Sequence, residues 1–225
     1  MGIISIEKLD HLYWLGRYTE RVYTTLRKFY RIYDLLIEAP EGTYKTYCER
    51  LNIPDVYGSN DVFADSYPFD KENPDSLIAN MSRAYDNAIV LRDELSSNVL
   101  SYLQLAVDIF EMNTRNAPLL ELQPVIDYIL AFWGCVDDYV DSEDCRNIMK
   151  CGKHVERLDL YIRLEYHTED IEKEFSKLLN RIYRTHMCYN MENLQKLTDI
   201  INVKKDWSTD YREALEYLGN IIEVR

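Results

Sequence analysis

The sequence predicts an all-α protein, folded as a single helical bundle over residues 1–225, and three observations favour this class. Apolar residues recur at intervals of three and four along nearly the whole chain, which is the spacing of amphipathic helices. Only seven glycines and six prolines interrupt the 225 residues, so long helices are possible. Two distant segments share a Gly-Glu-Arg pattern, and we interpret them as equivalent, pseudo-repeated helices.

This internal repeat has an offset of 136 residues and needs no gap. Segment 12–27 reads LYWLGRYTERVYTTLR, and segment 148–163 reads IMKCGKHVERLDLYIR. A glycine inside a helix costs about 1 kcal/mol relative to alanine. A glycine one turn before each glutamate therefore indicates that another backbone or a ligand approaches closely there. The repeated pairs are Gly16 and Gly152, Glu20 and Glu156, Arg21 and Arg157, Arg27 and Arg163, and Tyr30 and Tyr166.

The first third of the chain contains one long helix and one short one. Ser5 is a candidate N-cap for a helix that ends before the Ala-Pro-Glu-Gly turn at 39–42. A short helix at 44–51 follows. Segment 53–74 is predicted to be irregular, because prolines and a glycine are spread along it. We expect four aromatic side chains to hold it in place: Tyr57, Phe63, Tyr67 and Phe69.

The rest of the chain is helical between further start signals. Asn73-Pro74-Asp75 opens a helix with proline in its first turn. Ser96-Ser97-Asn98 and Ser142-Glu-Asp provide N-caps for later helices. Pro118 starts another helix, which Pro124 either restarts or kinks. The helices predicted from this point on are 73–95, 98–115, 118–140, 142–166, 168–188, 191–202 and 207–222.

Charge and cysteine content exclude several classes of function. The net charge of −13 argues against a general surface for nucleic acid or anionic membranes. No apolar run approaches the roughly 18 residues that a membrane span needs. Five cysteines without a regular framework indicate free thiols and a reducing compartment. Because MGIISIEKLD leads directly into the first helix without a signal peptide, we expect a cytoplasmic protein.

Two groups of residues resemble metal sites. The stretch 137–141 matches the DDxxD pattern that holds magnesium diphosphate, but no second acidic motif faces it, and an acidic helix end explains it. Cys135, Cys145, Cys151 and His154 include no paired CxxC. Cys151 lies on an apolar stripe, where a buried thiol acts as a small hydrophobe. We therefore predict no metal and no cofactor.

Three blocks of sequence resemble the alpha-E domain family, named for an alpha-helical domain with a Glu-Arg motif. The first is WLGRYTER at 14–21, and CGKHVER at 151–157 is similar to the second Glu-Arg motif of the family. NPDSLIANMSRAYDNAIVLRDELS at 73–96 resembles its middle section. The chain departs from the pattern at Lys153 and His154, where an arginine and a tyrosine or similar residue are usual.

The candidate functional residues come from these blocks, and two interpretations of them stay open. They form either a buried structural network in which arginines neutralise the glutamates, or a site for a ligand or partner. A guanidinium suits both, because its fixed fork of donors matches carboxylate or phosphate. The candidates are Arg17, Glu20, Arg21, Arg27, Arg83, Asn87, Arg92, Glu156, Arg157 and Arg163.

The resemblance also implies a functional context. Family members are associated with circularly permuted ATP-grasp-like proteins, transglutaminase-like proteins and peptidase-like proteins, which suggests a system that makes or modifies amide linkages. The leading hypothesis is a non-catalytic helical module that acts as partner or substrate-holding subunit of such a ligase. The alternative is an enzyme acting on a peptide-like or anionic substrate, with Glu20 or Glu156 as general base.

Overall fold

A computed structural model describes residues 4–113, 119–185 and 187–222, and within them the protein is all-α, as predicted. These residues form ten α-helices and two 3-10 helices, with no strand. The 3-10 helices are Tyr67–Phe69 and Leu119–Leu122. The α-helices are α1 (Ile6–Glu38), α2 (Tyr44–Leu51), α3 (Asn60–Ser66), α4 (Leu77–Val90), α5 (Ser97–Met112), α6 (Gln123–Tyr139), α7 (Glu143–Arg163), α8 (Thr168–Ile182), α9 (Met191–Val203) and α10 (Arg212–Gly219).

The chain divides into two compact units. The terminal unit comprises Met1–Arg17 and Ser142–Arg225, and the central unit comprises Tyr18–Asp141. Helix α1 contributes its first part to the terminal unit and the remainder to the central unit. In the terminal unit α7 packs on α8 and contacts α10, while α9 packs on α10; in the central unit α5 packs on α4 and α6. A single domain over 1–225 stays a prediction.

Polar side chains fix the starts of six helices. Each accepts a hydrogen bond from the backbone N–H three residues later, at 3.0–3.4 Å. Such a cap typically stabilises a helix by about 1 kcal/mol. The caps predicted at Ser5, in Ser96-Ser97-Asn98 and at Ser142 are confirmed. The six capping residues are Ser5, Ser59, Ser76, Ser96, Ser142 and Asn190.

An aromatic cluster forms part of the core of the central unit. Its rings meet at centroid distances of 5.1–6.4 Å. One of these rings belongs to α3. Because residues 60–66 form this helix, the prediction of irregular structure across 53–74 is wrong for them. Of the predicted aromatic anchors, Phe69 instead packs on Phe110, at 6.2 Å. The cluster consists of Phe29, Tyr44, Tyr47, Tyr57, Phe63 and Tyr67.

Helix α4 is shorter at both ends than predicted. The Asn73 side chain accepts a hydrogen bond from the Asp75 N–H at 2.9 Å, which makes an Asx turn ahead of the helix. Ser76 then caps Ala79, so Pro74 lies in the turn and not in the helix. At the other end α4 stops at Val90, because the Arg92 N–H bonds the Ile89 carbonyl and tightens the chain into turns.

Helix α8 also ends earlier than predicted, at Ile182. There the hydroxyl of Thr185 donates to the Ile182 carbonyl at 3.0 Å and replaces a helical hydrogen bond. Helix α10 starts at Arg212 and not at 207, because the Asp206 carboxylate accepts the Ser208 N–H and forms a turn.

Two prolines were predicted to mark helix starts near α6, and the structure describes one of them. Pro124 lies in the first turn of α6, so it restarts the helix and does not kink it. The predicted start at Pro118, and residues 114–115 of the preceding predicted helix, lie outside the described residues. No helix in the described part of the chain is long and apolar enough to cross a membrane.

Candidate functional site

The two glycines of the Glu-Arg segments lie at a close crossing of α1 and α7 in the terminal unit. A Cβ atom built on Gly16 would stand 2.0 Å from the Met149 carbonyl oxygen. A Cβ on Gly152 would stand 2.1 Å from the Tyr13 carbonyl oxygen. The close approach expected at both glycines is therefore observed, and the approaching group is backbone. The contacts are reciprocal, since Tyr13 and Met149 also differ by 136 residues. Equivalence of the two complete helices stays a prediction.

One turn from this crossing, the second motif glutamate is bonded by an arginine. Arg17 Nε donates to Glu156 Oε2 at 2.7 Å, with 13% and 1% of the two side chains exposed. Burial would lower the pKa of Arg17, but the carboxylate of Glu156 raises it above its usual value. The guanidinium also lies 4.8 Å from the centroid of the Trp14 ring. Arg17 and Glu156 thus form a buried, charged and sterically fixed pair.

The first motif glutamate lies in the central unit and is fully buried. Glu20 has an exposed fraction of 0%, and the hydroxyl of Thr24 donates to its Oε1 at 2.6 Å. Burying a carboxylate requires compensating hydrogen bonds. The Thr24 hydroxyl is one turn away on the same helix, so the sequence TERVYT supplies this acceptor–donor pair locally.

Sequence reasoning missed a third buried glutamate, Glu174 of α8. His154 Nδ1 bonds Glu174 Oε1, and Lys177 Nζ lies 2.9 Å from Oε2. Arg157 Nη1 is 3.8 Å from Oε1, which places the second motif arginine at this carboxylate. The available signal was the position of Glu174 on the apolar stripe of α8, between Ile171 and Leu178.

The pKa values of this cluster follow from its charges. Burial alone would raise the pKa of Glu174, but the hydrogen bond from His154 and the charge of Arg157 lower it to about 2. Burial lowers the pKa of His154. An ionised carboxylate only accepts hydrogen bonds, so at neutral pH a neutral His154 donates through Nδ1 to ionised Glu174. His154, where the sequence departs from the family pattern, is thereby a structural partner.

This geometry predicts a pH dependence of stability. A carboxylate whose folded pKa lies below its ordinary value of 4.5 stabilises the fold above that pH, and the contribution is lost as pH falls towards about 2. The shift corresponds to about 3 kcal/mol. We expect urea unfolding to give a free-energy difference between wild type and Glu174→Gln that shrinks by about this amount from pH 6 to pH 2. Glu172→Gln, which removes an exposed carboxylate from the same helix, should show little such trend. A difference independent of pH would contradict the assignment.

In the central unit, two candidate arginines meet at the loop before α4. Arg21 Nη1 is 3.8 Å from Asp75 Oδ1. Arg83 Nη1 donates to the Pro74 carbonyl at 2.6 Å, and its guanidinium lies 5.7 Å from the centroid of the Tyr18 ring. The middle block and the first Glu-Arg segment are therefore in contact.

Four other candidates have contacts close to them in sequence. Arg27 donates to the Tyr23 hydroxyl at 3.3 Å, and Arg163 donates to Asp159 at 2.6 Å, each one turn back along its helix. The remaining two lie on and after α4. Asn87 donates to the Arg83 carbonyl at 2.8 Å, and Arg92 lies 3.9 Å from the adjacent Asp93 with 74% of its side chain exposed.

His154, one of the residues that could have bound zinc, instead bonds Glu174. Cys151 is buried, and burial raises the pKa of its thiol to about 12. All five cysteines are free thiols. Within the described residues, no three histidine, cysteine or acidic side chains are placed to share a metal ion.

The motif glutamates and the motif arginines differ in their exposure to solvent. Both motif glutamates are buried, while Arg21 and Arg163 keep 30% and 25% of their side chains exposed.

A cavity of about 490 Å³ in the terminal unit is lined by residues 165–169, 172 and 205–207, which include none of the candidates.

The comparisons with known proteins agree with the all-α fold. The family described as Alpha-E, "a predicted alpha-helical domain with a conserved ER motif", matches residues 8–210. That range includes both Glu-Arg segments and the middle block. Neither the curated proteins nor the solved structures give a match. Because the family match covers most of the sequence, the chain belongs to the Alpha-E family.

Proposed function

We propose that this chain is a non-catalytic helical module that serves an ATP-grasp-like amide or peptide ligase as partner or substrate-holding subunit. The ligase would be the circularly permuted ATP-grasp-like protein associated with the family, with a transglutaminase-like protein as a second partner. We place this chain and its partners in the cytoplasm, and the five free thiols of this chain support that placement.

The observation that carries the proposal is the burial of both motif glutamates. Glu20 and Glu156 each have an exposed fraction of 0%, and Glu156 is held by Arg17 at 2.7 Å. A general base must come within hydrogen-bond reach of the proton that it removes from a substrate. Carboxylates enclosed in this way instead stabilise the helices that carry them. This burial supports the module over the alternative of an enzyme with a glutamate base.

In each of the two units, motif arginines then provide positive charge for recognition. The side chains of Arg21 and Arg163 are partly exposed, and Arg27 is exposed, so the Glu-Arg helices present cations to solvent. In an acidic protein of net charge −13 such cations are local features. They fit an anionic group on a substrate or on a partner protein.

The test is reconstitution with the ATP-grasp-like protein of the native host. We expect the two proteins to co-purify and the mixture to form amide bonds at least about tenfold faster than the ligase alone, a change of about 1.4 kcal/mol in the barrier. The chain alone should form and hydrolyse no amide bond. Activity of the chain alone would establish the enzyme alternative, and absence of both association and stimulation would refute the module.

Glu20→Gln separates a structural glutamate from a binding one. Because Glu20 is buried and bonded to Thr24, the variant should melt at a lower temperature. Assayed well below that temperature, the folded variant should still associate with the ligase. Loss of association by a folded Glu20→Gln protein would assign Glu20 a direct role in binding.

A further inference from the structure

The loop that precedes α4 brings two guanidinium groups to adjacent residues. Arg83 Nη1 donates to the carbonyl of Pro74 at 2.6 Å, and Arg21 Nη1 lies 3.8 Å from the carboxylate of Asp75. Arg21 comes from α1 and Arg83 from the second turn of α4. The two positive charges therefore converge from different helices on one short segment.

The charge of Arg83 is not neutralised by a carboxylate among the described residues. Its contacts there are a neutral carbonyl and the face of the Tyr18 ring, 5.7 Å away. A tyrosine ring attracts and orients a guanidinium without removing its charge. Arg83 thus presents a fixed positive charge with further donors in its fork.

The pairing of Arg21 with Asp75 is loose. A separation of 3.8 Å exceeds a normal charge-assisted hydrogen bond of about 2.7–2.9 Å. The two side chains are 30% and 31% exposed, and partly exposed ion pairs of this kind are weak. The interaction of Arg21 with Asp75 can therefore be replaced by one with a stronger acceptor at small cost.

The backbone beneath the two arginines is held by its own hydrogen bonds. Asn73 accepts the Asp75 N–H at 2.9 Å, and Asn80 Nδ2 donates to the Ser76 carbonyl at 2.7 Å. The buried Tyr67 hydroxyl donates to the Asp75 carbonyl at 3.2 Å. Burial raises the pKa of Tyr67, so it stays neutral and adds no negative charge. A loop fixed in this way preorganises the groups around it.

We propose that Arg21 and Arg83 form a binding site for an oxyanion, either a carboxylate or a phosphate group. The two guanidiniums would donate to separate oxygens, and Asp75 would release Arg21 when the anion binds. The identity of the natural ligand rests on the proposed function, in which the site holds the carboxylate of a peptide-like substrate. Binding of the oxyanion itself is a property of this chain alone.

The site can be titrated directly on the isolated protein. The Nε–Hε signals of the arginines report guanidinium hydrogen bonding in NMR spectra. The probes are sodium phosphate, trialanine with a free C-terminal carboxylate, and trialanine amide, each at constant ionic strength set with sodium chloride. We expect saturable shifts of the Arg21 and Arg83 signals with phosphate or with free trialanine, and none with the amide. The responding probe identifies which source of oxyanion the site accepts.

Variants locate the binding. Arg83→Lys keeps the charge but loses the planar fork, and should weaken the affinity by about tenfold or more. Arg21→Gln with Arg83→Gln should abolish binding. The matched control is Arg31→Gln, which removes an exposed arginine from the same helix as Arg21, and should bind like wild type. Circular dichroism of each variant establishes that it is folded.

Several outcomes would overturn the site. These are an absence of saturable shifts with either oxyanion, binding that persists in the folded double variant, and equal loss in Arg31→Gln. The outcome is independent of the ligase experiment. Oxyanion binding without ligase association would support this site and refute the module. Ligase association without oxyanion binding would support the module and refute this site.

Discussion

Gly16→Ala is expected to destabilise the terminal unit severely. The new Cβ atom would lie 2.0 Å from the Met149 carbonyl oxygen, whereas carbon–oxygen contacts normally begin near 3.3 Å. The obstacle is backbone, so no side-chain rotation can relieve it, and α1 and α7 must move apart. Overpacking typically costs about 1–3 kcal/mol, and a backbone collision belongs at or beyond the upper end. At about 2–4 °C per kcal/mol for a chain of this size, we expect the melting temperature to fall by about 10 °C.

Gly152→Ala should behave similarly, because its Cβ would lie 2.1 Å from the Tyr13 carbonyl oxygen. The control is Gly134→Ala in α6, where no atom lies within 4 Å of the added Cβ. That exposed helical site should gain up to about 1 kcal/mol from helix propensity. The measurement is thermal unfolding of all three variants by circular dichroism. If Gly16→Ala and Gly152→Ala melt like wild type, the helix crossing is not as close as described.

These glycines show which part of the fold the sequence could predict. Helical periodicity and capping residues are local signals, and they predict the ends of α1 to within one residue and those of α7 to within three. The recurrence of a costly helical glycine before each glutamate indicates a close approach, which a single helical glycine such as Gly134 does not. The partner atoms of Tyr13 and Met149 depend on how two helices cross, and sequence spacing does not determine that crossing.

Helix α3 was harder to predict because its stability comes from other parts of the fold. Helix α3 contains seven residues, and an isolated helix of that length is unstable in water. It is stabilised by the Ser59 cap and by Phe63, whose ring packs on Phe29 and Tyr44. Those contacts bring together residues from α1 and α2, which a window of sequence around α3 does not contain.

The sequence predicted which residues are candidates for the site but not which atoms each of them contacts. Arg21 and Arg83 contact adjacent residues of one loop, whereas Arg92 lies exposed beside Asp93. Glu174 was missed because glutamate on a helix is usually solvated. Only the packing of α8 on α7 brings His154 and Arg157 to its carboxylate.

The second large effect is expected at the Arg17–Glu156 pair. Glu156→Gln removes the negative charge that faces a guanidinium of which only 13% is exposed. Removing one partner of a buried pair typically costs about 3–5 kcal/mol, because the other charge remains desolvated. The amide keeps an acceptor for Arg17 Nε, so we expect the lower end, about 3 kcal/mol. Chemical denaturation of the full chain gives this free energy directly.

A double-mutant cycle distinguishes a specific pair from a general loss of packing. Arg17→Met and Glu156→Gln should each destabilise, but together they should cost clearly less than the sum, with a coupling energy of about 2 kcal/mol or more. The control pair, Lys205 and Glu172, is 68% and 43% exposed at 2.9 Å, so its coupling should stay below about 1 kcal/mol after allowance for solvent screening. Additive effects at Arg17 and Glu156 would mean that the two side chains stabilise α1 and α7 independently. In that case the buried glutamate would no longer be explained by its arginine, and the main support for a structural role of Glu156 would be lost.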